Sequence, residues 1–502
     1  MSPHFFRFVR KDFIIPPTAW SIFTLAATTQ FHPSFDADYP TLTKFAWGGY
    51  FDDDIVALRT MNPHVGKNYS EFSIFERTSD TWSRNFSVTG SDVSTTAGNG
   101  AWFVSNGQTH TGINGWDHHQ HAMDESTTYD SSTKTMYVLA ATSSLTSERT
   151  FRGTNIYGIP VFKTQKSGET WPALTEAGLL PTASYQVYPG TGDYAVRAIK
   201  YLTDGTIATL AHSANSANRF SYGGEFVQNS IHFTDSTTFK IVDSVQHSKY
   251  DPSGINHTIN YWGSIWGTNQ SKTKVYVGGS MEGAGVQDGH RHLAIQILSS
   301  GSSNGWELEG QITGSAGGSN GADNQYFYNG VFDFNDNYAV LGLPTAETDG
   351  HRTGRVYVYK KTGATWADNE MVQMLNGQDA FRNQLGITES PGLRFRDKLL
   401  FGRGVRINSN NEILVAAPHF HITGMEHKAG LVAFLTKSDG SDTWGFQSYH
   451  TGSVQASTNS YTYPSSAAMF TPRYFGTDRA IVTAPSGSRF FMGFETYKNQ
   501  EI

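Results

Sequence analysis

One segment keeps returning along this chain: a strand of β-branched and aromatic residues, a polar turn, then Thr-Trp. It ends at Trp82 (SIFERTSDTW), Trp171 (PVFKTQKSGETW), Trp366 (VYVYKKTGATW) and Trp444 (VAFLTKSDGSDTW). Looser copies end at Trp306 (AIQILSSGSSNGW) and at Phe239, which takes the aromatic place in SIHFTDSTTF. Trp20, in PTAWSIFTLAATT, has the following strand but not the preceding one. The missing strand stands at the other end of the chain, in RFFMGFETYKN at 489–499. Successive aromatics lie 62, 89, 68, 67, 60 and 78 residues apart, and passing from Trp444 through the C-terminus to Trp20 is 78 again. The count therefore closes on itself as seven units. Units of this kind cannot bury an apolar face alone and must stack on their neighbours.

A second element keeps the same register: a strand ending in small residues or Ala-Pro, then a Gly-bearing turn. Its clearest forms are EILVAAPHFHITGMEHKAGLVAF (412–434), NYAVLGLPTAETDGHRTGRVYVY (337–359) and AIVTAPSGSRFF (480–491). Poorer versions are DIVALRT, TMYVLAATSS, TIATLAHSA and KVYVGGS, and FGRGVRIN (401–408) lies upstream of one copy. Together these motifs resemble the FG-GAP repeat of integrin-α-like β-propellers. The resemblance covers most of the chain and is sharpest in the fifth to seventh units.

What the resemblance implies is an all-β fold, a seven-bladed β-propeller of four-stranded antiparallel blades. The ring would be closed by pairing the N-terminal strand with the C-terminal blade. The expected organisation is an arm at 1–17 and a propeller at 18–502. Its blades fall near 44–92, 115–185, 194–253, 260–315, 325–379 and 401–453, with 468–502 joined by 18–29. Trp20, Trp82, Trp171, Phe239, Trp306, Trp366 and Trp444 are expected as structural aromatics that fill the gap between blades. Innermost strands are expected to carry small side chains where the blades crowd the axis. The Gly/Asn/Ser-rich stretches at 93–115, with Trp102 and Phe103, and at 313–324 read as surface loops.

Composition narrows the function. Of 502 residues, 38% are hydrophobic and 14% aromatic, enough for a sizeable core, while 16% are charged. No cysteine is present, which excludes disulfide scaffolds, thiolate metal sites and a cysteine nucleophile. Thirty-seven basic and 44 acidic side chains give a net charge of −7 with no basic stripe, so nucleic acid is not an expected partner. No apolar run reaches the ~18 residues of a membrane span, so membrane insertion is not expected. The N-terminal segment is basic and then apolar like an export signal, but Asp12 and the Pro16–Pro17 pair interrupt it.

Candidate chemistry is sparse. The loops INSNNEIL (407–414), DFNDNYAV (333–340) and FDDDIV (51–56) stand where propellers of this family can hold calcium. They lack the central glycine and spaced acids of such a loop and read as Asx-rich turns. WDHHQHAMDE (116–125) is the densest ligand cluster, and on a strand His119 and His121 would share one face. Two imidazoles do not make a site, so no metal and no cofactor is expected. KTQKSGETW (163–171) resembles the sialidase Asp-box, S-x-D-x-G-x-T-W, with Lys166 in place of the aspartate. YKKTGATW (359–366) puts Lys361 there. The box is a structural hairpin, and the arginine cluster and Tyr–Glu pair of a sialidase are not found. Neither G-x-S-x-G nor H-E-x-x-H occurs, so no catalytic residue is assigned.

The N-terminal arm places Phe5, Phe6, Phe8, Val9, Phe13, Ile14 and Ile15 among Arg7, Arg10 and Lys11. An apolar arm beside a finished domain is expected to dock, either across its own propeller or on a neighbour's sheet edge. FG-GAP-like propellers of this cysteine-free, Gly/Asn/Ser/Thr-rich composition resemble structural proteins of tailed bacteriophages. That resemblance implies a non-enzymatic virion component of a tail, nozzle, fibre or head decoration, partnered by other virion proteins and copies of itself. A host-surface glycan or protein is a further possible partner. The alternatives are a secreted or cell-surface adhesin or lectin, and a sialidase-like glycosidase.

Overall fold

Both faces of strands such as VYVY of 355–361 and ILVAA of 413–417 are apolar, so these sheets must be covered on two sides. A computed structural model describes residues 49–51, 54–60, 71–78, 81–89, 101–103, 127–142, 158–181, 194–213, 230–246, 258–282, 291–301, 305–313, 331–344, 346, 353–377, 401–417, 431–451, 481–483 and 490–492. They form an all-β propeller built of antiparallel sheets in strict chain order.

The first sheet is β1 (Gly49–Phe51), β2 (Ile55–Thr60), β3 (Glu71–Thr78) and β4 (Thr81–Thr89). The second is β5 (Ala101–Phe103), β6 (Thr127–Asp130), β7 (Thr135–Thr142), β8 (Gly158–Gln165) and β9 (Thr175–Pro181). The third is β10 (Tyr194–Tyr201), β11 (Thr206–Ser213), β12 (Ser230–Asp235) and β13 (Ile241–Gln246). The fourth is β14 (Thr258–Thr268), β15 (Lys274–Glu282), β16 (Arg291–Ser300) and β17 (Trp306–Thr313). The fifth is β18 (Val331–Phe334), β19 (Tyr338–Leu343), β20 (Arg355–Lys361) and β21 (Asn369–Asn376). The sixth is β22 (Gly404–Ile407), β23 (Ile413–Ala417), β24 (Leu431–Lys437) and β25 (Trp444–Thr451). A two-stranded ladder, β26 (Ile481–Thr483) with β27 (Phe490–Met492), follows.

First strands of successive sheets touch one another: β1 with β6, β6 with β10, β14 with β18, β18 with β22, and β22 with β26. These are therefore the innermost strands. The turns after first and third strands leave at one end of the propeller, and the longer connections after second and fourth strands leave at the other. Closure through 18–29 lies outside the described residues.

Alternation along each strand sends successive side chains to opposite neighbours. In the fifth sheet, Ala339, Leu341, Tyr357 and Tyr359 pack with Tyr276, Ile295 and Ile297 of the fourth. Val340, Val356 and Val358 pack with Val405, Val415 and Ala433 of the sixth. Three further clusters fill the gaps between sheets one and two, two and three, and three and four.

Two expectations are corrected. The innermost strands are not lined by small residues: β18 carries Phe332 and Phe334, and β22 carries Arg406. The small residues lie on the second strands, as in ILVAA of β23, where a layer from each neighbour must fit. Residues 101–103 are not loop but strand, with Ala101 opposite Thr142 and Phe103 opposite Ala140. β6 continues along the same edge of β7, Thr127 facing Val138, so two separate segments share the innermost place of the second sheet.

Candidate functional site

The described polar side chains converge at the end of the axis where first strands turn into second strands. In the second to sixth sheets this turn is held by its own Asx residue. Asp130 Oδ1 accepts the Ser132 N–H at 2.9 Å, and Asp204 Oδ1 accepts that of Thr206 at 2.9 Å. Asn269 Oδ1 accepts both Thr273 and Lys274 N–H at 2.9 Å. Asn335 Oδ1 accepts Asn337 and Tyr338, and Asn408 Oδ1 accepts Asn410 and Glu412. The Asx-rich reading of 333–340 and 407–414 thus has a structural counterpart, since these amide oxygens cap backbone.

The innermost edges are cross-linked rather than left open. Thr128 Oγ1 accepts the Tyr201 N–H at 2.8 Å, and Asp333 Oδ2 accepts that of Ile407 at 2.9 Å. Asn335 Nδ2 donates to the Asn408 carbonyl at 2.7 Å, and the Tyr276 hydroxyl donates to that of Phe332 at 2.8 Å. Tyr276 reaches Phe332 over Gly267, where a Cβ would lie 2.4 Å from its hydroxyl.

At the centre stands the turn 269–273 of the fourth sheet. The Lys272 ammonium donates to the Tyr129 carbonyl at 2.8 Å and the Tyr50 hydroxyl at 3.1 Å, and sits 4.9 Å from the centre of the Tyr50 ring. Its carbonyl accepts the Thr203 N–H at 3.1 Å. Gln270 Nε2 donates to the Ile407 carbonyl at 2.9 Å. One turn therefore touches the first, second, third and sixth sheets.

Two titratable clusters flank this hub. Between sheets two and three, Tyr137 and Tyr201 stack at 5.9 Å beside Asp130. Burial raises the Asp130 carboxyl, but hydrogen bonds from Ser132, Thr133 and Tyr201 outweigh it and hold the group below its ordinary value. Desolvation and the Asp130 charge push Tyr201 up to about 12. Between sheets five and six, the Asp442 carboxylate accepts the Tyr338 hydroxyl at 2.6 Å and the Lys360 ammonium at 2.7 Å. Desolvation and that hydrogen bond push Tyr338 up to about 12. These groups answer one another within the fold, and among the described residues no nucleophile–base pair is poised at this end.

The predicted aromatics occupy one repeated position. Trp171, Phe239, Trp306, Trp366 and Trp444 each sit in the gap before their own sheet, against the preceding one. Trp306 stacks on Phe233 at 4.2 Å, and Trp444 meets Tyr338 edge-on at 5.0 Å while its Nε1 donates to the Asn411 carbonyl at 2.7 Å. Phe239 adopts φ 55 and lies against Gly178, where a Cβ would fall 2.5 Å from its ring. Trp82 lies in β4. Trp20, the arm residues Phe5, Phe6, Phe8, Val9, Phe13, Ile14 and Ile15, and His119 and His121 lie outside the described residues. Among the described residues no three His, Cys, Asp or Glu side chains gather as a metal would require. No helix among them is long and apolar enough to cross a membrane.

Sequence reasoning missed a recurring device on the fourth strands. In the first six sheets a β-bulge skips one residue there: Asn85, Ala177, Val242, Glu309, Val372 and Gln447. At or beside three of these, a side chain accepts the backbone N–H of the next sheet's tryptophan. Asp243 holds Trp306 at 2.6 Å, Glu309 holds Trp366 at 3.3 Å, and Gln373 holds Trp444 at 2.7 Å. The available signal was an acid or amide a few residues after the repeat aromatic: Asp243 after Phe239, Glu309 after Trp306 and Gln373 after Trp366. Lys166, in the place of the box aspartate, pairs with Glu76 of the preceding sheet at 2.7 Å.

No family model matches the chain, and no curated protein matches it by sequence, so the FG-GAP resemblance rests on the motifs quoted above. Among solved structures it is similar to the β-propeller domain of the Trilobed protease from Pyrococcus furiosus, at TM-score 0.32 and 9% identity, covering 79% of this chain and 82% of that one. It is also similar to TolB from Acinetobacter baumannii, at TM-score 0.31 and 11% identity, covering 80% and 64%. A third is an acylaminoacyl peptidase from Pyrococcus horikoshii, at TM-score 0.36 and 7% identity, covering 78% and 44%.

Proposed function

We propose that this protein is a non-enzymatic structural component of a virion, a propeller used as an assembly or recognition platform in a tail, fibre or head decoration. The observation that carries the reading is the commitment of the hub's polar groups. Lys272, Thr128, Asp333, Asn335, Asp442 and Lys360 all hold one part of the ring to another. A hub that only fixes sheets suits a rigid mount better than a reaction centre. The cysteine-free, Gly-, Ser- and Thr-rich composition and the FG-GAP-like motifs support the virion setting. Because the turn 269–273 crosses the hub, the propeller's own axis is not a conduit in this reading, which disfavours a nozzle formed by a single chain.

Antibodies raised against the purified chain, applied to particles recovered from lysates of its source, test the proposal. Regular labelling at one place on the particles is the expected result. Protein found only in the medium or on intact cell surfaces, with binding to a glycan array, would overturn it in favour of an adhesin or lectin. Turnover of sialylated or sulfated glycans by the pure protein would overturn it in favour of a glycosidase.

A further inference from the structure

We infer that the turn 269–273 is an axial strap: it shuts the mouth of the propeller on its side and ties sheets that are not neighbours, so that the ring resists opening at its seam. In a stack of sheets each contacting only the next, opening starts at an end and propagates inward. A propeller has such an end wherever its first and last sheets meet without a covalent link. Links between non-adjacent sheets remove that weakness, and within the hub this turn supplies them.

The fourth sheet has the third and fifth as its neighbours. Its turn nevertheless reaches Tyr50 of the first sheet, Tyr129 of the second and Ile407 of the sixth. The strap is also pre-shaped. Asn269 accepts the Thr273 and Lys274 N–H groups through Oδ1, while its Nδ2 donates to Ser271 Oγ at 2.7 Å and Thr273 Oγ1 at 3.0 Å. Lys272 sits at φ 54, a left-handed conformation that disfavours a long side chain. Lys134, Gly205 and Asn411, in the turns after β6, β10 and β22, also have positive φ. The backbone shape is thus a shared feature of these turns. Lys272 combines it with a long cationic side chain that reaches across the axis.

Hydrogen exchange on the full chain tests the strap. Lys272→Met keeps the aliphatic stem and removes the ammonium. The expected result is exchange about tenfold faster in Gly49–Phe51 and Thr127–Asp130, with Arg355–Lys361 of the fifth sheet unchanged. Gln270→Ala is expected to speed exchange of Gly404–Ile407 alone, and it carries the test if the lysine variant does not fold. Rates that stay at wild-type values, or that rise equally in all sheets including the fifth, would overturn the strap. Particle labelling is unaffected by either outcome, so failure here is distinct from failure of the virion proposal.

Discussion

The Asp243 carboxylate of the third sheet accepts the backbone N–H of Trp306 in the fourth at 2.6 Å. The bond crosses a gap otherwise filled by apolar side chains, including Phe233 stacked on the Trp306 ring. A charged acceptor on a half-buried amide contributes about 1.5–3 kcal/mol. Asp243→Ala should therefore lower stability by about 2 kcal/mol in urea denaturation, and Asp243→Asn, which keeps an acceptor, by less. Equal loss from both would mean that the contact matters only as packing.

Gly310 lies on β17 where it faces the turn between β20 and β21 of the fifth sheet. A Cβ there would meet the Trp366 carbonyl carbon at 2.1 Å and the Ala367 nitrogen at 2.3 Å, both backbone atoms. Only separation of two sheets could make room. Gly310→Ala should cost 3 kcal/mol or more, beyond the usual range for overpacking, about 1–3 kcal/mol. Gly445→Ala is the control, since nothing lies within 4 Å of its Cβ position, and it should stay within about 0.5 kcal/mol of wild type. Thermal unfolding of the pair measures both.

The sheets were legible from the chain because each unit repeats two signals, an aromatic after a polar turn and a strand of small residues. Trp171, Phe239, Trp306, Trp366 and Trp444 share one place in the repeat, and reading Phe239 as an equivalent of tryptophan was enough to find the third sheet. The hub was not legible. Lys272 looks like any lysine in a polar turn, and its partners Tyr50 and Tyr129 are far away in sequence, so no local pattern marks them. Small residues were assigned to the wrong strand because crowding was imagined at the axis. The tighter packing lies instead on the second strands, where Gly342 sits against the Gly402 carbonyl of the next sheet. β5 was hidden by a Gly-rich context that reads as loop, although Trp102 faces Ala141 in a ladder.

Lys166 offers a test of how far the Asp-box comparison extends. In this chain the box position is a cation whose ammonium lies 2.7 Å from Glu76, with both side chains largely buried. Asn85 also donates to the Glu76 carboxylate. Lys166→Asp restores the box consensus but sets two carboxylates together and leaves Glu76 without its counter-ion. It should destabilise by about 2–4 kcal/mol, whereas Lys166→Gln, which keeps a donor, should cost less. A neutral or stabilising aspartate would show that the hairpin itself, not the contact between sheets, determines this position.

Alkaline stability should depend on the two tyrosines raised by their surroundings. Desolvation and the Asp442 hydrogen bond push Tyr338 up to about 12, and desolvation with the Asp130 charge does the same to Tyr201. In the unfolded chain both ionise near their ordinary value of about 10. A group whose folded pKa is raised contributes stability that is complete below the unfolded value and disappears as pH climbs through the folded one. The loss should therefore fall between pH about 10 and about 12. Tyr338→Phe and Tyr201→Phe should each flatten the decline of the urea midpoint across that window, and the double variant should flatten it further. Lysines also titrate there, which is why slopes are compared between variants and not read from wild type alone. On the acid side the sign reverses: Asp130 is held below 3.8, so its contribution is lost as pH falls through that lower value. Tyr201→Phe removes one of the donors holding it down, so the acid decline should become shallower too. A variant whose pH profile overlays wild type at both ends would separate these side chains from the stability of the ring.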